Sequence, residues 1–213
     1  MKLLDKNKAF ELIKLLNKSI KNPKTSLKYR NNFTLLTSVV LSAQCTDVNV
    51  NNVTKDIYNK YYTPKHFVDL GIYKIKNLIK KIGLFKNKSR NLYYLSKILF
   101  ENYNSKVPNK FEELILLPGV GRKTANVVLN AAFNQSTIAV DTHVFRVSNR
   151  TGLSNEKTPE QVENKLLEIL PKKHVKKAHD LILLHGRNVC KSRKPLCEKC
   201  IINKICLYKG KNE

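Results

Sequence analysis

Apolar residues recur at intervals of three and four along most of the chain, a spacing that places side chains on one face of an α-helix. Proline and glycine residues interrupt the pattern often enough to keep each helix short. We therefore predict about ten short helices whose apolar faces form the core. The clearest faces comprise Phe10, Ile13, Leu16 and Ile20; Leu92, Leu95 and Leu99; and Val162, Leu166, Ile169 and Leu170.

A capping pattern and one short extended stretch complete the prediction of fold class. Thr158-Pro159-Glu160-Gln161 predicts a helix start, because it combines a threonine cap, a proline at the first helical position and a reciprocal glutamine three residues on. Thr137 to Val140 has the only convincing extended pattern, and one strand makes no sheet. The sequence therefore predicts an all-α fold.

No run of apolar residues is long enough to cross a membrane. The longest, Leu35 to Ala43, spans about nine residues, whereas a bilayer needs about 20. The first residues carry an acid and several lysines, without the apolar segment of a signal peptide. We therefore expect a cytoplasmic protein, associated with the nucleoid if its source is bacterial.

The composition is strongly basic and still apolar enough to fold. Hydrophobic residues make up 42% of the 213 residues, which argues against intrinsic disorder. The formal net charge is +24, and a basic surface suits a polyanion because it neutralises phosphates and releases their counterions. Codon drift explains part of this charge, since 33 of the 40 basic residues are lysine and asparagine is also abundant. Nucleic acid remains the favoured partner, ahead of a membrane surface.

Four cysteines near the C-terminus have the spacing C-x6-C-x2-C-x5-C: Cys190, Cys197, Cys200 and Cys206. Thiolates this close indicate a metal, because disulfides are disfavoured in a reducing cytosol. Zinc usually takes two short C-x2-C hooks, whereas this pattern has one, so the spacing modestly favours a [4Fe–4S] cluster over zinc. The intervening loop contains Arg193 and Lys194, which can contact phosphate or simply be solvated. Cys45 stands apart and is predicted to be a small buried hydrophobe.

Residues 112–133 have the pattern of two helices joined by a Pro-Gly-Val-Gly turn, with the second helix beginning near Arg122. Glycines at 119 and 121, on either side of Val120, let the backbone approach a ligand closely, and the N–H groups at the second helix's start favour an anion. This helix–hairpin–helix pattern predicts contact with a nucleic acid phosphate rather than with a base.

Lys123 and Asp141 are the candidate reactive groups. Lys123 falls in the first turn of the second helix, where the dipole disfavours a positive charge and thereby favours a nucleophilic amine. Its simpler interpretation is a lysine that pairs with phosphate. Asp141 follows the extended segment and precedes a helix, so it can cap that helix, assist an amine, or do both.

These motifs together resemble the endonuclease III family, the bifunctional DNA glycosylases and abasic-site lyases of the helix–hairpin–helix–Gly/Pro–Asp superfamily. The resemblance runs from about residue 5 to residue 208. It rests on five motifs in the family's order: Leu-Ser-Ala-Gln-Cys-Thr-Asp at 41–47, Ile-Gly-Leu-Phe at 82–85, the hairpin with Lys123, Val-Asp-Thr-His at 140–143, and the four-cysteine tail.

The resemblance implies a fold of two helical lobes around a DNA-binding cleft. A six-helix lobe with the hairpin would span residues 24–135. Residues 1–23 and 136–213 would form a discontinuous lobe that carries a [4Fe–4S] cluster. The expected partner is double-stranded DNA with damaged bases or abasic sites, bound by a monomer.

The resemblance also implies the roles of individual residues. Lys123 would attack C1′ of the damaged nucleotide and form a Schiff base, and Asp141 would assist the attack before β-elimination cuts the strand. Gln44 and Leu84 would fill the gap and wedge the opposite strand. Asp47 and His143 match pocket positions, although either can equally be structural. Oxidised pyrimidines such as thymine glycol would be the substrates.

Three alternatives follow from the same residues. A monofunctional glycosylase with a cluster would typically lack a lysine at position 123. A DNA-binding module without enzymatic activity would need neither Lys123 nor Asp141. A zinc protein would use the same four cysteines without a redox metal.

Overall fold

The computed structural model describes residues 3–20 and 26–212, and within them it contains ten α-helices, one 3₁₀ helix and no β-strand. This confirms the predicted all-α fold and number of helices; residues 137–140 are irregular and pair with no strand in the described part of the chain. The α-helices are α1 (Lys6–Ser19), α2 (Asn32–Ser42), α3 (Asp47–Lys60), α4 (Pro64–Leu78), α5 (Phe85–Asn102), α6 (Phe111–Leu114), α7 (Arg122–Phe133), α8 (Thr142–Thr151), α9 (Pro159–Ile169) and α10 (Lys172–Asn188), and the 3₁₀ helix is Lys209–Asn212.

The described residues form two compact units. The mid-chain unit is Ser26–Phe133, and the terminal unit combines residues 3–20 with residues 134–212. The predicted boundary between residues 23 and 24 lies outside the described residues. Neither unit contains, among its described residues, a helix with the length and apolar character that crossing a bilayer requires.

Helix α2 forms the centre of the mid-chain unit. It contacts α3, α5 and α7, and every residue from Phe33 to Leu41 is buried. A helix that is apolar around its whole circumference belongs inside a protein, which explains this central position. Helix α5 adds the predicted face of Leu92, Leu95 and Leu99, all fully buried, and packs on α4.

The terminal unit is organised around α10, which contacts α1, α8 and α9. The predicted face of α9 is confirmed, and Thr158 and Gln161 form the expected reciprocal cap. The prediction for α1 was partly wrong. Phe10 is only half-buried, because the buried face of α1 is centred on a neighbouring row of residues. The Phe10 ring lies against the ring of His174, with the centroids 4.8 Å apart. The buried row comprises Ala9, Leu12, Ile13 and Leu16.

One buried tyrosine joins α3 to α2 through hydrogen bonds. The hydroxyl of Tyr58 lies 2.8 Å from both Thr37 Oγ1 and Ser38 Oγ. Burial raises the pKa of Tyr58 to about 12, so its hydroxyl stays protonated and available for these bonds. The central helix is therefore held by polar contacts as well as by apolar packing.

We expect Tyr58→Phe to lower the free energy of unfolding by roughly 1–3 kcal/mol, because the buried Ser38 hydroxyl loses its partner. Tyr73→Phe is the matched control, since Tyr73 is 73% exposed and should lose almost nothing. Urea unfolding of the two variants beside the wild type measures the difference. Equal losses in both variants would contradict the role assigned to the buried hydroxyl.

Candidate functional site

A tight hairpin leads directly into α7, and the start of that helix lies at the surface. The N–H of Val120 donates to the carbonyl of Leu117 (3.0 Å), and the Val120 side chain is buried, which fixes the turn to the core. The first bond of α7 runs from Ala125 N–H to the Gly121 carbonyl (2.9 Å). The first N–H groups of a helix have no partner within it, so this exposed terminus favours an anion.

The two glycines of the hairpin differ in whether the fold has room for a side chain. Gly119 has φ +80°, and a Cβ there would stand 2.8 Å from Asn91 Nδ2 and 3.0 Å from Asn91 Cβ. Gly121 would place a Cβ in open space, with no atom within 4 Å. The fold therefore requires glycine at position 119, whereas at position 121 only an external ligand would require it.

Two basic residues follow the hairpin on the first turn of α7. The Arg122 guanidinium lies 5.2 Å from the centre of the Phe111 ring, which directs it along the hairpin surface. Lys123 is exposed, so an approaching substrate can reach its amine. The positive end of the α7 dipole lies at the same place. The mid-chain unit thus presents an exposed amine at a helix terminus whose dipole favours an anion.

Asp141 caps α8 in the terminal unit. Its Oδ1 accepts from the N–H groups of His143 (2.9 Å) and Val144 (2.8 Å), which confirms the predicted cap. Both bonds use Oδ1, so among the described residues Oδ2 takes no part in the cap. His143 Nδ1 lies 3.2 Å from Arg146 Nη2. This contact is consistent with a structural role for His143, one of the two roles considered for it in the sequence.

Gln44 and Leu84 lie in two adjacent turns of the mid-chain unit. Gln44 follows α2 and Leu84 precedes α5, and both have left-handed backbone conformations, with φ of +53° and +59°. A Cβ built on Gly83 would lie 3.6 Å from the Gln44 carbonyl, so the two turns are close. Leu84 is 55% exposed, which rules out a role in the core. Asp47 is half-buried at the first position of α3.

The four C-terminal cysteines belong to one local region. Burial raises the pKa of the Cys200 thiol, and Cys206, Cys190 and Cys197 raise it further by charge repulsion. Nitrogen donors also lie near this sulfur set: Arg150 Nη1 donates to Cys190 Sγ (3.8 Å), and His185 Nε2 lies 3.6 Å from Cys200 Sγ. Four soft sulfur donors fit an iron–sulfur cluster chemically. In residues 3–20 and 26–212, however, no group of three His, Cys, Asp or Glu side chains is arranged as a ready metal site.

Hydrogen bonds from one arginine hold the backbone of the basic loop between Cys190 and Cys197. Arg150 donates to the carbonyls of Lys191 (2.7 Å) and Ser192 (2.9 Å). Arg193 and Lys194 are both exposed, and Lys194 has φ +50°. The loop therefore exposes two cationic side chains on a backbone that Arg150 holds in place.

Residues that organise these sites were missed in the sequence. Lys88 is 5% exposed. Its position four residues before Leu92 indicated burial, because it continues the buried face of α5. Arg150 and His185 carried no such signal, since their partners come from about 15 to 40 residues away. Cys45 is half-buried rather than buried, and its sulfur accepts from Asn49 Nδ2.

Comparison with known proteins identifies the family. Residues 37–172 match the model described as HhH-GPD superfamily base excision DNA repair protein. Endonuclease III of Rickettsia conorii is 54% identical over 202 residues, with 95% of each chain covered. Endonuclease III of Escherichia coli K12 is 46% identical over 208 residues, covering 98% of this chain and 99% of that one. The chain belongs to the endonuclease III family.

Solved structures agree with this assignment. A trapped covalent intermediate of endonuclease III with DNA has a TM-score of 0.90 and 41% identity, and the match covers 96% of this chain and 97% of that one. A thermostable thymine-DNA glycosylase, 23% identical with a TM-score of 0.83, shares the fold. The comparisons confirm the predicted class of enzyme, a base excision repair DNA glycosylase and abasic-site lyase.

Substitutions at the two glycines of the hairpin separate folding from binding. We expect Gly119→Ala to lower the free energy of unfolding by about 1–3 kcal/mol, because alanine is strained at positive φ and its methyl group meets Asn91. Gly121→Ala should leave stability nearly unchanged and weaken binding to duplex DNA about tenfold, or ~1.4 kcal/mol. Urea unfolding and fluorescence anisotropy measure the two effects.

Unchanged DNA affinity in Gly121→Ala would mean that no phosphate approaches the hairpin backbone at this position. Full stability in Gly119→Ala would show that the turn relaxes without difficulty around the added methyl group.

Proposed function

We propose that this chain excises oxidised or saturated pyrimidines, such as thymine glycol, from double-stranded DNA and then cuts the strand through a Schiff base on Lys123. The observation that carries the proposal is the exposed Lys123 on the first turn of α7, directly after the open hairpin. An amine held beside a phosphate-binding terminus can reach the sugar attached to that phosphate. The protein acts as a monomer in this proposal.

The hairpin and the basic loop would hold the DNA backbone. Gly119, Val120 and Gly121 offer main-chain contact to a phosphate, and the Arg122 side chain adds a charge next to it. Arg193 and Lys194 would contact another phosphate from their braced loop. Such contacts position the duplex and do not read its sequence, which suits an enzyme that must work wherever damage occurs.

Lys123 would supply the nucleophile. Its neutral amine attacks C1′ of the damaged nucleotide, and the base departs with the electron pair of the glycosidic bond and takes up a proton. The C1′–O4′ bond then breaks and an imine forms between Lys123 Nζ and C1′; the two protons that the amine loses balance the one taken up by the base and the one taken up by the ring oxygen. Loss of a C2′ proton then expels the 3′ phosphate, and water releases Lys123 from the cut strand.

Asp141 would assist this sequence as a carboxylate. It can accept a proton from the attacking amine and stabilise the positive charge that develops on the sugar. Its cap on α8 fixes the carboxylate through Oδ1 and leaves Oδ2 for this work. We therefore assign Asp141 both roles, helix cap and catalytic group.

Extrusion of the damaged base would use the two exposed turns. A base inside a duplex is out of reach, and removing it from the stack costs a few kcal/mol. Gln44 would fill the space that it leaves, and Leu84 would insert beside the opposite base. Asp47 and His143 would line the pocket for the extruded base.

Cys190, Cys197, Cys200 and Cys206 would hold a [4Fe–4S] cluster. When bound, such a cluster supplies four iron–sulfur bonds that tie the C-terminal segment together, and a one-electron redox couple. Arg150 would stabilise this region independently, since it bonds the loop carbonyls and faces the Cys190 sulfur. The metal site would thereby help to hold Arg193 and Lys194 in place.

Lys123→Gln tests the proposed nucleophile. We expect borohydride to trap the wild type on a duplex with one thymine glycol, and to trap no adduct with Lys123→Gln, while DNA affinity changes less than tenfold. Lys97→Gln is the matched control, because it removes one exposed lysine charge from α5 and should still be trapped. Gel separation of the adduct gives the result.

Each other result favours a different alternative. An adduct that persists in Lys123→Gln would assign the imine to another amine. Base release without any trapped adduct in the wild type would indicate a monofunctional glycosylase. Binding with no base release from any oxidised pyrimidine would favour a DNA-binding module or another lesion.

Cys197→Ser tests the cluster. The wild type should carry about four irons per chain with visible absorbance, and Cys197→Ser should lose most of both. Cys45→Ser is the control, since Cys45 lies in the mid-chain unit and should keep a full iron content. Metal analysis that finds one zinc per chain, lost in Cys197→Ser, would reject the cluster in favour of zinc.

A further inference from the structure

The two exposed turns that carry Gln44 and Leu84 are strained before any DNA arrives. Both residues have positive φ without being glycine. Left-handed backbone costs an ordinary residue roughly 1–2 kcal/mol, and it persists only where surrounding contacts enforce it. Both side chains are also exposed, so their own packing does not enforce it. Some other group must hold the two turns.

The side chain and backbone of Lys88 bind both turns at once. Lys88 Nζ donates to the carbonyls of Ala43 (2.6 Å) and Leu41 (2.9 Å), the residues on either side of the last position of α2. Its backbone N–H donates to the Leu84 carbonyl (3.0 Å). One residue therefore connects the backbone immediately before Gln44 with the backbone of Leu84.

Burial of the Lys88 ammonium group costs free energy unless its hydrogen bonds to the two carbonyls compensate for the lost water. Lys88 is only 5% exposed, and desolvation lowers the pKa of its amine, an effect that nearby Cys45 partly opposes. No carboxylate pairs with Lys88 in the described part of the chain. The negative end of the α2 dipole and its terminal carbonyls provide the compensating charge. Both carbonyls in turn accept a hydrogen bond from Lys88, and the bond to Leu41 is buried.

Asn49 makes a second connection between the same turns. Its Nδ2 donates to the carbonyl of Lys81 (3.1 Å) and to Cys45 Sγ (3.2 Å). These two partners flank the strained residues in sequence, Cys45 directly after Gln44 and Lys81 three residues before Leu84. Two polar side chains from different helices thus join one pair of turns, which an incidental contact would not do.

We propose that Lys88 is a positioning residue for base extrusion, one that fixes the turns of Gln44 and Leu84 relative to each other in the DNA-free protein. The inference rests on the roles proposed above for Gln44 and Leu84. Because the strain is already held by the protein, none of the DNA-binding energy is needed to create it. Lys88 touches neither DNA nor the reacting atoms in this role.

Hydrogen exchange in the DNA-free protein tests whether Lys88 holds the turns. We expect Lys88→Met to speed exchange at the amides of residues 43–45 and 83–85 at least tenfold, with no change at residues 117–121 of the hairpin. Lys97→Met is the control, because it removes the same charge from an exposed position on the same helix. Unchanged exchange at both turns in Lys88→Met would overturn the proposal.

Single-turnover excision tests whether the held turns serve extrusion. Lys88→Met should slow base release from a fully paired thymine glycol about 10–100-fold, and by less than threefold when the lesion lies opposite a mismatched base, where extrusion costs less. A loss of folded protein would lower both rates equally. Equal slowing on the two duplexes by protein whose circular dichroism matches the wild type, or a wild-type rate on the paired one, would overturn the proposal.

Asn49→Ala keeps the test decisive if Lys88→Met folds poorly, because Asn49 is only half-buried. It should change both measurements in the same direction and less strongly, and no change in either would count against the proposal. The two measurements also separate this inference from the proposed function. Absent base release in the wild type would reject the proposed function, while hydrogen exchange would still decide whether Lys88 holds the turns.

Discussion

An α-helix cannot satisfy its own first N–H groups or its last carbonyl groups, and this constraint governs where function lies in this all-helical chain. Three helix ends meet it in different ways. Asp141 closes the start of α8, and Lys88 closes the end of α2. The start of α7 is exposed after the hairpin and carries Lys123 in its first turn. The two closed ends give rigidity, and the exposed end is where we propose that a phosphate binds.

This arrangement makes stability and chemistry depend on the same groups. Asp141 bonds two backbone N–H groups, so removing its carboxylate would weaken α8 as well as the proposed proton transfer. Lys88 at the end of α2 takes no part in the chemistry, but in its proposed role it links stability to the positioning of Gln44 and Leu84. Lys123 differs, because it is exposed and closes no helix end. A polar substitution there should remove chemistry with little effect on the fold, which makes it the most informative position in the molecule.

Most of the fold followed from local sequence, while the supports of the site did not. The start of α7 at Arg122, the reciprocal cap at Thr158 and the buried face of α5 each depend on neighbours within a few residues, and the sequence pattern displays such neighbours directly. Lys88 depends on carbonyls 45 and 47 residues away, and Arg150 on carbonyls more than 40 residues away. No local pattern encodes such pairings. The positive φ at Gln44 and Leu84 was equally hidden, because neither residue type favours it.

The central claim is that Lys123 forms the covalent bond to the sugar. The most direct test is to reduce the wild-type protein–DNA adduct with borohydride, digest both components and locate the sugar remnant by tandem mass spectrometry. We expect a remnant on Lys123 alone among the 33 lysines of the chain. A remnant on any other lysine or on the terminal amine would contradict it.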